Sequence, residues 1–256
     1  MIDAYTHCGI SKFEPVELVL ATMAAAGVER AVLVQHLGEY DNSYLAEVVG
    51  ERPEAFAVVA LADPEASDWE ERLAEVAESG HVRGLRLTTE MLLANGDLAL
   101  GAAAAGLVPV LYTPDGVAPA RQRIVELAAA APDRPIVITH LGCPKVEGKQ
   151  MVAGWELLEF SDLTNVMVTL SGLGMLCPYP HRPLSDFVGK VVEEFTAHRI
   201  MWGSNYPVLG DASDYARDLD LVLAGWWGFS PEQVERISET NAAETFFAAP
   251  ASDRED

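Results

Sequence analysis

The chain has 256 residues, half of them hydrophobic, with 39 Asp and Glu against 17 Lys and Arg and a formal net charge of −22. An acidic surface of this kind repels phosphate backbones and anionic headgroups, so nucleic acid and membrane are excluded as partners and a small molecule is expected. The apolar fraction excludes disorder, and no run approaches the ~20 apolar residues that span a bilayer.

The first run, Met1–Tyr5, starts a strand at once, with no basic region or apolar core of a secretory leader. Cys8, Cys143 and Cys177 are an odd set without short spacing, which gives no disulfide framework and fits a reducing, cytoplasmic setting. Glu14-Pro15 opens a helix carried by Val16, Val19, Leu20 and Met23 and ended by Gly27. Strands follow at Ala31–Gln35 and Phe56–Leu61. Asp68 with Glu71 reads as a capping box for the next helix. Val82–Leu87 and Leu107–Leu111 are the fourth and fifth strands. A helix from Arg121 to Ala131 is closed by Pro132. Pro135–Thr139, Val166–Leu170 and Arg199–Gly203 complete the set. A Ser230–Gln233 capping box then opens a helix to about Phe247. Three stretches read as irregular loops: Cys143–Gly154, Gly172–Leu184 and Asn205–Asp214. The middle one, stiffened by prolines, is a candidate wall or lid.

Eight strands starting about 25 to 33 residues apart leave room for one crossover helix per unit. That pattern predicts an α/β fold, a (β/α)8 TIM barrel, as one domain over residues 1–250 with a polar tail at 251–256. An open doubly wound sheet is the alternative. The count of eight and the lack of a glycine-rich loop after the first strand favour the barrel.

Polar residues collect at the downstream strand ends, where barrels carry chemistry: Tyr5 and His7, Gln35 and His36, Arg86, Tyr112, His140, Ser171 and Asn205. Alternation along the first strand predicts that Asp3, Tyr5 and His7 share a face. His7 and His140 are the candidate bases, since imidazole titrates near neutrality. Tyr5 is a candidate acid or carbonyl polariser, and Asn205 a donor to a developing oxyanion. Arg86 is placed to clamp a carboxylate; Gln35, His36, Tyr112 and Ser171 complete the expected substrate-binding set.

Ile2–His7, Ile138–Gly142 and Trp202–Pro207, taken in order and at strand ends, resemble the amidohydrolase-related family of barrel hydrolases. Members begin with a strand reading Asp-x-His-x-His. A later strand ends in histidine followed by Leu-Gly, and the last ends in Gly-Ser-Asp-Trp/Tyr-Pro. The resemblance implies hydrolysis of a small cyclic ester or amide and a homodimer as the default assembly. Two positions depart from it. Tyr5 stands at the first histidine and Asn205 at the aspartate that, in metal-dependent members, binds the ion and takes a proton from water. Two imidazoles with a phenol and an amide make a poor zinc cage, so no cofactor is expected. Zinc or another divalent metal, if bound, would sit on His7 and His140. The resulting expectation is a metal-independent, lactonase-like hydrolase of a carboxylated substrate. The alternatives are a non-hydrolytic enzyme on the same barrel (decarboxylase, cyclase or dehydratase) and a binding protein that has lost turnover.

Overall fold

The computed structural model describes residues 1–208 and 210–248. The eight expected runs all form strands, to within one residue at either end: β1 (Ile2–Thr6), β2 (Arg30–Val34), β3 (Phe56–Ala60), β4 (Val82–Thr88), β5 (Val108–Tyr112), β6 (Ile136–Ile138), β9 (Val166–Ser171) and β10 (Ile200–Gly203). They pair in parallel in that order, and a separate antiparallel hairpin, β7 (Lys145–Glu147) and β8 (Gln150–Ala153), is inserted between β6 and β9. The fold is a nearly closed (β/α)8 barrel.

Both faces of the sheet are covered, which is why its strands read as apolar runs rather than as alternating patterns. Val32, Val34, Val59, Val108, Val110 and Val137 fill the barrel interior, and Ala242 and Phe246 of the C-terminal helix join the same cluster. The alternate residues, among them Leu33, Val58, Leu85, Leu111 and Val168, pack under the surrounding helices. Asn241 fastens the C-terminal helix by donating to the carbonyls of Ala197 and Ile200 at 2.6 and 2.7 Å.

The barrel closes between β1 and β10 through a few specific bonds. Asn205 N donates to Tyr5 O at 2.7 Å, and His7 N donates to Tyr206 O at 2.8 Å. Ser204 donates to the Asp3 carboxylate from its N at 2.9 Å and from its Oγ at 2.5 Å. Gly203 permits this approach, because a Cβ there would lie 2.8 Å from Tyr5 Cβ.

The expectation that Asp3 shares a face with Tyr5 and His7 is corrected. The register of β1 against β2 shifts between Asp3 and Thr6. The resulting bulge puts neighbours Ala4 and Tyr5 both into the interior cluster. Asp3 instead turns to Ser204 and to Tyr215 of the helix Ala212–Leu223. Two further expectations change. Cys143–Gly154 holds the β7–β8 hairpin rather than an irregular loop. Asp68 makes no side-chain cap; its carboxylate takes Arg72 Nε at 2.9 Å, a stronger charged partner within reach. The Ser230–Gln233 capping box forms as expected. The tail expected at 251–256 lies outside the described residues. Among the described residues no helix is long and apolar enough to cross a membrane.

Candidate active site

A cleft of about 360 Å³ opens at the C-terminal mouth of the barrel. It is lined by His7, His36, Arg86, Tyr112, His140 and Asn205 from the strand ends and by Lys12, Phe13, Leu37, Met175 and Val208 from the loops. Among the described residues that line it there is no carboxylate, although the chain carries 39 of them. Its charged groups are the cations Arg86 and Lys12, so the cleft is a local positive site on an acidic molecule.

The inward parity of β4 carries Arg86 to the mouth, where it is 6% exposed. Nη1 donates to Gln35 O at 2.7 Å, while Nε has no hydrogen-bond partner among the described residues. The guanidinium lies 5.3 Å from the Tyr112 ring and 5.9 Å from the Tyr5 ring. The buried Tyr5 hydroxyl faces it without a hydrogen bond of standard geometry. Burial foremost holds that phenol above its ordinary pKa, with Arg86 opposing, so Tyr5 keeps its proton.

His7 and His140 converge, as the strand-end reading expected. Both rings pack edge-on against Tyr5, with centroids 5.2 and 4.7 Å from its ring. Burial, followed by the Arg86 charge, pushes both imidazoles down to about 3, so both are neutral at pH 7. His7 is held by its Nδ1, 2.6 Å from Val34 O, and by the face of Phe13, stacked at 4.8 Å and 17°. His140 holds Nδ1 against Ser171 Oγ at 2.8 Å, and Ser171 Oγ lies 2.6 Å from Thr169 Oγ1. Nε2 is therefore the nitrogen His140 keeps for the cleft. Four consecutive residues, His140 to Cys143, have φ between 54° and 68°. A left-handed run of this kind costs of order 1–3 kcal/mol per non-glycine residue and recurs at functional sites. Gly172 makes room behind the ring, since a Cβ there would stand 2.7 Å from His140 Nδ1.

Some of the expected residues stand outside the cleft, Tyr5 among them: its hydroxyl is buried and it forms no part of the wall. The Gln35 side chain donates from Nε2 to Asp41 O at 2.8 Å and accepts from His36 N at 2.9 Å, so it shapes the β2 loop and reaches Arg86 only through its carbonyl. Ser171 lies fully buried behind His140. Lys12 and Phe13, in a loop, and Met175, in the one-turn helix Leu173–Leu176, escaped the sequence reading because none lies in a periodic run; only tertiary contact brings them to the mouth. The donor set is also informative about metals. Among the described residues no three His, Cys, Asp or Glu side chains gather where they could hold an ion. The nearest candidates are two imidazoles, a protonated phenol and an amide, beside a guanidinium.

The comparisons with known proteins agree with this architecture. The chain belongs to the amidohydrolase family, whose model matches residues 4–248. It is 30% identical over 229 residues to the L-fucono-1,5-lactonase of Burkholderia ambifaria, covering 84% of this chain and 76% of that protein. Its fold is like that of a Pseudomonas putida protein described as a 2-pyrone-4,6-dicarboxylic acid hydrolase, with a TM-score of 0.76 and 23% identity over 96% of this chain and 97% of the other. It is similarly like an amidohydrolase of Burkholderia multivorans solved with bound zinc, with a TM-score of 0.77 and 19% identity over 97% and 99%.

Proposed function

We propose that this protein is a metal-independent, lactonase-like hydrolase of a small cyclic ester or amide that carries a carboxylate. The observation that carries the reading is the cleft itself: two neutral imidazoles and a half-satisfied guanidinium converge where no carboxylate lines the wall, beside the buried, protonated phenol of Tyr5. The Burkholderia ambifaria relative, an L-fucono-1,5-lactonase, supports the lactone.

Arg86 takes the substrate carboxylate, satisfying Nε and neutralising the charge that, second to burial, depresses both imidazoles. His140 Nε2 then becomes a better base at the moment substrate is bound. It accepts a proton from water as the water oxygen bonds to the carbonyl carbon. The carbonyl oxygen, gaining charge, accepts from the Asn205 amide; a donor of this kind is worth roughly 10²–10³ in rate. The ring C–O or C–N bond breaks, and the proton on His140 passes to the leaving oxygen or nitrogen. Zinc does not fit this donor set: Asn205 brings no charge, Tyr5 holds its proton, and Arg86 is a cation beside the place an ion would take.

The test is hydrolysis of carboxylated five- and six-membered lactones by protein purified without chelator, with metal content measured on the same sample. Turnover with substoichiometric metal is expected. Stoichiometric, tightly held zinc would overturn the metal-free mechanism, and no turnover of any carboxylated lactone would overturn the hydrolase. Asn205 by itself favours a second reading, a non-hydrolytic enzyme or a binding protein, because it cannot take a proton from water. An Asn205→Asp variant that hydrolyses lactones its parent leaves intact would decide for that reading.

A further inference from the structure

A second chamber of about 660 Å³ adjoins the cleft, and Tyr112 and Met175 line both. The β7–β8 hairpin and the loop after β5 build it, and neither contributes to the barrel sheet. The left-handed run from His140 to Cys143 leads the chain directly from the proposed base into its wall. Val117, Val146 and Leu176 give it an apolar lining. Its charged groups are of the opposite character to those of the cleft. Asp115 and Glu156 line it, and its lysine, Lys145, is held by Glu147 at 2.7 Å.

We infer that the chamber is the second half of a bipartite substrate site and receives an uncharged alkyl or aryl substituent, while the carboxylate and the scissile carbonyl stay over Arg86 and the histidines. The inference rests on the carboxylate-binding reading of Arg86 and adds the shape of the rest of the substrate. Apolar walls reward an apolar group, at ~0.8 kcal/mol per buried CH₂. Asp115 and Glu156 repel a second carboxylate, so the cleft and the chamber together orient the molecule in one direction. A substrate that fills only the cleft leaves the chamber to water and forgoes this contact.

Two inert ketones test this by calorimetry on the intact protein: 3-oxocyclopentane-1-acetate and its 2-pentyl derivative, which keep the carboxylate and carbonyl and cannot be hydrolysed. The pentyl compound is expected to bind at least about tenfold tighter to the wild type, a modest share of what burying five carbons provides. Ala118→Trp and Ala153→Trp each place an indole at the chamber wall from a solvent-exposed position. They should erase that preference while leaving the Kd of the unsubstituted ketone unchanged. If one variant fails to fold, the other carries the test. Equal affinities in the wild type, or a preference that survives both tryptophans, would overturn the chamber alone. Failure of both ketones to bind the wild type would overturn the Arg86 reading, and the chamber with it.

Discussion

His7 Nε2 and the Asn205 carboxamide oxygen lie 3.3 Å apart, while His7 Nδ1 lies 2.6 Å from the Val34 carbonyl. A carbonyl only accepts, so Nδ1 bears the ring proton, and with the ring neutral Nε2 is a lone pair. An amide oxygen facing that lone pair is repulsive. With its oxygen at His7 the Asn205 NH₂ donates to Met175 Sδ at 3.3 Å, a weak acceptor; the two orientations of a carboxamide have the same shape, and the His7 tautomer favours the one in which the NH₂ donates to Nε2 instead. Asn205 is thus matched to an uncharged histidine, where an aspartate would call for a charged one. Asn205→Asp places an anion against the imidazole and should raise the His7 pKa by about 1–3 units from its depressed value. Histidine ¹⁵N chemical shifts followed against pH report this directly; a His7 that still titrates at the wild-type position would show the pairing to be wrong.

Among the described residues Arg86 is buried with one hydrogen bond and an unmatched Nε, so it serves the free protein poorly. Replacing a buried, under-paired charge by an apolar side chain of similar volume is often neutral or stabilising by about 1–4 kcal/mol. Arg86→Met should therefore melt no lower than the wild type, yet bind the carboxylated ketone ~100-fold more weakly. It should also let His7 and His140 titrate higher, because both lose a cation that opposes their protonation. A strongly destabilised Arg86→Met protein would mark the arginine as structural.

The buried imidazoles set an acid limit. Their pKa values fall from 6.5 to about 3 on folding, so the unfolded chain binds their protons first. The stability they allow is complete above pH 6.5 and is lost progressively as pH falls toward 3. Asp3 works in the opposite sense. Burial foremost raises it from 3.8 to about 6, so its contribution is complete below pH 3.8 and is lost as pH rises through 6. Because many surface acids titrate in the same range, the comparison is with His140→Gln. The wild type's stability relative to that variant should drop by about 2 kcal/mol between pH 7 and 5, at ~1.4 kcal/mol per pH unit. Urea unfolding at both pH values measures it, and a difference independent of pH would contradict the depressed His140.

His181 joins the loop between β9 and the helix Ser185–Phe195 to the helix Ala212–Leu223. Its Nδ1 lies 2.8 Å from Cys177 O, and its Nε2 lies 3.0 Å from Asp218 Oδ1, with a left-handed φ of 58°. The same loop carries Met175 and Leu176, which line the chamber. Asp218→Asn removes the charged partner and should cost about 1–3 kcal/mol. Amide exchange across residues 173–184 should speed up while the strand cores keep their protection. Unchanged exchange in that loop would show that the contact does not hold it.

The barrel was legible because its physics is periodic. Strands buried on both faces must be apolar throughout, and crossover helices impose an even spacing, so eight strands could be bounded to within a residue. The convergence of His7, His140, Arg86 and Tyr112 was legible for the same reason: parity and strand-end position place such groups without knowledge of contacts. Asp3 was misplaced because a bulge shifts parity by one residue, and nothing local in Ile2–Thr6 encodes it. The bulge exists where β1 must close against Gly203 and Ser204, some 200 positions away.

What the chain determined on its own was the cylinder, its polar rim and the two departures at Tyr5 and Asn205, because each follows from local pattern or from residue identity. Only the tertiary structure decided that Gln35 and Ser171 stand behind the cleft and that Lys12, Phe13 and Met175 line it. It alone made both histidines neutral and opened a chamber beside them. Those properties depend on burial and on charges brought together from distant strands, and desolvation is a property of the assembled fold rather than of any one segment.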